Sequence, residues 1–198
     1  MLRPKSPFFW FLFAVLLAAG LTAIGPQEQT LGENVRVIYL HGAWVLAAEM
    51  TLAAAGVTGL LGILFRRPDL HRWSAGLGRS GIFFWVASLP LALWAMQTTW
   101  NGLFLAEPRF RLIVTFAVSG ILIQIGLALI ARPTFTSLGN LLFAVALQIG
   151  LSQTDYVMHP PPSPIFGSAA TAIQLYFIGL LFLLLAAAYY LTRWWLSR

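Results

Sequence analysis

Six apolar runs, at residues 8–25, 37–65, 80–99, 111–131, 138–151 and 168–192, dominate this chain, and most of its charges fall between them. At 1.5 Å per residue, a helix of about 20 residues crosses a hydrocarbon core of about 30 Å. Lipid offers no hydrogen bonds, so a segment placed there must satisfy its own backbone as a helix. The pattern predicts an all-α integral membrane protein, a single domain (1–198) of six transmembrane helices. Run 138–151 is short for a crossing and is expected to recruit flanking polar residues or a thin part of the membrane. Pro90 is expected to bend the third helix. Run 8–25 follows a basic start and ends in Ala23-Ile24-Gly25, which also fits a cleavable signal peptide; we take it as a retained helix.

Charge then decides orientation. The chain is 59% hydrophobic and 9% charged, whereas a soluble domain carries roughly 25% charged residues. Its net charge of +6 could point to nucleic acid if the cations shared one face, but they lie in short loops. Arg3, Lys5, Arg66, Arg67, Arg72, Arg79, Arg132, Arg193 and Arg198 fall on the side of the termini, against Arg36, Arg109 and Arg111 on the other. Nine against three predicts both termini in the cytoplasm of a multi-pass protein of the plasma or inner membrane. The run Arg66-Arg67-Pro68-Asp69-Leu70-His71-Arg72 with Arg79 reads as a basic loop touching anionic lipid, or docking a cytoplasmic partner such as an ATPase.

This topology gathers three features at the outer face: His41, the stretch 99–109, and His159 within the stiff His159-Pro160-Pro161-Pro162 segment. The stretch 99–109 cannot span, because Glu107 and Arg109 would be too costly in lipid. Two imidazoles, the rings of Trp100 and Phe104 and the cation of Arg109 suit a b-type haem: axial nitrogens, π surface and a propionate partner. Zero cysteines remove disulfides, thiolate metal sites and covalent c-type haem attachment, so any haem is non-covalent. Zinc wants a third ligand that no spacing supplies. Trp100 and Phe104 are alternatively interfacial belt aromatics, and Arg109 alternatively pairs with Glu107 or simply starts a helix after Pro108. Glu49, eight residues beyond His41, is an intramembrane carboxyl, either functional or a packing device. Ala55 and Gly59 form a small-xxx-small pair that marks close helix packing.

The same residues resemble the CcmC-type haem-handling (WWD-domain) proteins of cytochrome c assembly, six-helix membrane proteins with two outward histidines flanking a loop that reads Thr-Trp-Gly-x-Trp-Trp-x-Trp-Asp-Pro-Arg. Thr99, Trp100, Pro108 and Arg109 match it; Glu107 stands for the aspartate, Phe104 for one tryptophan, and Leu103 and Ala106 for two others. Arg36-Val37-Ile38-Tyr39-Leu40-His41-Gly42-Ala43-Trp44 is similar to the segment carrying the first histidine, and His159-Pro160-Pro161-Pro162-Ser163 to that carrying the second. The resemblance implies haem b held between His41 and His159 over the Trp100 loop, haem transport to a CcmE-type chaperone, and ABC-transporter subunits as candidate partners. No nucleophile motif, phosphate loop, metal box or acidic pair appears, so binding and delivery is expected rather than catalysis. Two alternatives remain open: a haem-free structural subunit of a larger membrane complex, and a mono-haem electron-transfer subunit with a quinone near Glu49.

Overall fold

The computed structural model describes residues 6–158, 165–167 and 169–198. Six helices occur among them: α1 (Pro7–Ala23), α2 (Val35–Phe65), α3 (Pro68–Thr99), α4 (Pro108–Ile130), α5 (Pro133–Gln153) and α6 (Thr171–Leu196). Proline opens four of them, where its fixed φ suits the first turn and its missing N–H is not needed. Helices α2 to α6 are each long and apolar enough to cross a membrane. With 17 residues, α1 reaches only about 25 Å.

The basic stretch is mostly helix rather than loop. Only Arg66 and Arg67 connect α2 to α3, with Arg66 in the left-handed region at φ 52° and the chain turning so that Arg67 N–H reaches the Gly62 carbonyl. Asp69, His71, Arg72 and Arg79 therefore ride on α3, which begins at Pro68 rather than with the apolar run at Ser80. Residues 68–79 lack hydrophobicity because their buried side is made of Ser74, Gly76 and Gly78, which serve close packing rather than lipid contact. Likewise α5 is 21 residues long, its polar beginning folded into the bundle instead of lying outside it. Pro90 stays inside a continuous α3.

Neighbouring helices run antiparallel. Phe8 packs on Trp194 while Tyr176 Oη donates to the Leu21 carbonyl, which sets α1 against α6 and puts the start of one beside the end of the other. Helices α2 and α3 share the most extensive pairing. Trp44 Nε1 donates to the Phe84 carbonyl near one end, and Ser74 Oγ to the Ala55 carbonyl toward the other.

A seam of small and polar residues joins α2, α3 and α5. A Cβ on Gly59 would stand 2.7 Å from the Ser137 carbonyl oxygen and 2.9 Å from Ser74 Oγ. Beside it, Asn140 Nδ2 donates to the Ser74 carbonyl (2.8 Å) and approaches Ser74 Oγ (3.1 Å), while its Oδ1 accepts from Gln124 of α4. His71 Nδ1 lies 2.6 Å from Ser137 Oγ. Small residues let helix backbones approach in lipid, and interhelical hydrogen bonds then hold the register. Ala55 and Gly59 both lie on this seam.

The seam makes a prediction about stability in detergent. Gly59→Ala meets backbone that cannot retreat and should cost about 1–3 kcal/mol, whereas Gly126→Ala, with nothing within 4 Å of the added methyl, should be neutral or stabilising. Thermal unfolding of the two variants compares them.

Candidate functional site

At the end of the bundle opposite the basic cluster, the helices enclose a cavity of about 510 Å³, within the range of about 300–1,000 Å³ typical of small-molecule sites. Residues singled out from sequence line it: His41 and Glu49 from α2, Trp100 from the end of α3 and Arg109 from the start of α4. The antiparallel pairing of α2 with α3 brings His41 and Trp100 to the same end of the bundle. Trp100 closes α3 with its N–H on the Met96 carbonyl (2.8 Å), and α4 starts after a short loop, so Arg109 returns to the same rim.

That loop is a compact turn. Asn101 takes a left-handed φ of 53°, and Phe104 meets Trp100 edge to face at 5.9 Å between ring centroids. Trp100 packs with Met96, Ala92 and Phe110. Phe104 is exposed and does not line the cavity, so it buttresses Trp100 instead of extending the aromatic wall.

Glu107 and Arg109 turn to other partners rather than to each other. Buried Glu107 accepts the Met158 N–H at 3.0 Å and so clasps the segment after α5. Arg109 donates to the Leu151 carbonyl at 3.3 Å and lies over the Tyr156 ring at 3.7 Å, a cation–π contact. Its guanidinium is also within electrostatic reach of Glu49. Arg109 Nε is buried without a hydrogen-bond partner among the described residues. His159 falls outside the described residues.

The structure adds residues that local sequence pattern does not mark. Tyr156 holds Arg109 from a loop without periodicity, and Met96 reads as ordinary helix core. Gln148 does carry a signal, an amide inside an apolar run, and it too lines the cavity.

The connection before α2 braces this end. Asn34 Nδ2 donates to the Thr98 carbonyl and Arg36 Nε to the Gly25 carbonyl. The Glu28 carboxylate accepts the Leu31 and Thr30 N–H groups, which hold its pKa below the ordinary 4.5.

The chain matches no protein family, no curated protein and no solved structure.

Two outcomes check this geometry. Glu107→Ala should release the clasp and reduce amide protection at Met158, with little change in α3. Because the folded pKa of Glu28 is depressed, its contribution is present at neutral pH and is lost as pH falls through that lowered value. Protection of the Thr30 and Leu31 amides, corrected for the intrinsic pH dependence of exchange, should therefore persist at about pH 4.5 and fall at more acidic pH.

Proposed function

We propose that this chain is a haem-handling membrane protein that binds b-type haem at its outer face for delivery during cytochrome c maturation. The observation that carries the reading is the convergence of His41, Trp100 and Arg109 on one cavity of about 510 Å³. Those residues fit the group. His41 would supply an imidazole for iron, Trp100 a ring for the macrocycle, Arg109 a cation for a propionate and His159 a second imidazole. The buried Nε of Arg109 is a donor suited to such a carboxylate. Haem, when bound, supplies a redox-active iron; the residues hold it, orient it and limit its exposure.

In this reading all six helices span, with both termini cytoplasmic. The basic end, carrying Arg66, Arg67, Arg72, Arg79, Arg132, Arg193 and Arg198, faces the cytoplasm by the positive-inside rule. The cavity then opens outward, where a CcmE-type chaperone would collect haem.

Spectra of the purified chain, oxidised and then reduced, should show the Soret and α bands of b-type haem. His41→Ala and His159→Ala should each remove most of that absorbance, and Arg109→Ala should weaken haem binding about tenfold. A haem-replete preparation that stays colourless would sink this reading in favour of a haem-free structural subunit. Since the chain has no cysteine, Leu103→Cys introduces a unique label site, and a membrane-impermeant maleimide should reach it from outside intact cells.

A further inference from the structure

Of the polar side chains that line the cavity within the spanning part of the bundle, Glu49 of α2 and Gln148 of α5 have no hydrogen-bond or ion-pair partner in the protein among the described residues. Their levels agree. Gly56 packs against Leu141 of α5 and Gly59 against Ser137, so the two helices run antiparallel; two turns from Gly56 along α2 lies Glu49, and two turns from Leu141 along α5 lies Gln148. Glu49 is about 12 Å deeper along α2 than His41.

Polar groups at such depth in a membrane are costly and mark ligand paths. A ligand that satisfies both needs two separated hydrogen-bonding oxygens and an apolar body to lie among Val45, Leu46 and Ile113, which share the cavity wall. An acidic lipid head would meet the Glu49 carboxyl, and a single hydroxyl would satisfy only one of the two groups. Gln148 is exposed on α5 as well as lining the cavity, which gives access from the bilayer.

We propose that the floor of the cavity binds the two-oxygen head group of a membrane-soluble quinone or quinol, with Glu49 on one oxygen and Gln148 on the other. A carboxyl donates to a quinone carbonyl when protonated and accepts from a quinol hydroxyl when ionised, and a carboxamide does either. The site therefore serves both redox forms, and it does not rest on the haem reading.

The test is calorimetric titration of decylubiquinone into the haem-free full chain in phosphatidylcholine nanodiscs, with empty nanodiscs as the blank. Saturable binding is expected, about tenfold weaker in Glu49→Leu and in Gln148→Leu, and retained in Glu49→Gln and in Gly126→Ala, which lies away from the cavity. Size-exclusion profiles check that each variant folds, and exposed Gln148 keeps the test open if Glu49→Leu does not. Heat no greater than that of empty nanodiscs, indifference to both leucine variants, or equal binding of a sterol would overturn the proposal.

Discussion

The close approach of α2, α3 and α5 is the contact on which the rest of the structure depends. Lipid tails are as apolar as leucine, so no hydrophobic gradient drives these helices together, and packing and hydrogen bonds must do it. Gly59 against the Ser137 carbonyl, Ser74 on the Ala55 carbonyl and Asn140 on Ser74 supply both. Each is a backbone-level contact, so the register of the three helices is set there and transmitted along their length.

The other end of the bundle is built from larger side chains. Tyr39, Trp44, Met96, Trp100 and Phe110 pack there, where glycine and serine serve at the basic end. The cavity lies at this end, with Met96, Trp100 and Phe110 on its wall. Its rim is held by two clasps to the segment that follows α5, Glu107 on Met158 and Arg109 on Tyr156.

Much of the fold was legible in the sequence because hydrocarbon imposes a simple demand on apolar runs. Residues 68–79 and the start of α5 were not, since their buried side is polar or small and hydropathy carries no signal there. At the site, His41, Trp100 and Arg109 were legible as types suited to one ligand, and the structure brings them to one cavity. Phe104 lies outside that cavity, and of the two alternatives for Arg109 it starts α4, while pairing with Glu107 gives way to contacts with Leu151, Tyr156 and Met158. Such partners lie 42 or more positions away, beyond any local pattern.

By itself, the sequence determined a helical membrane protein with most of its cations at alternate ends of its apolar runs, since length, hydropathy and charge are additive properties of short segments. Only the tertiary structure decided that α3 begins at Pro68 and that Glu49 and Gln148 face one cavity. Those outcomes depend on which small residues allow two backbones to touch, and that is a property of pairs of helices rather than of either alone.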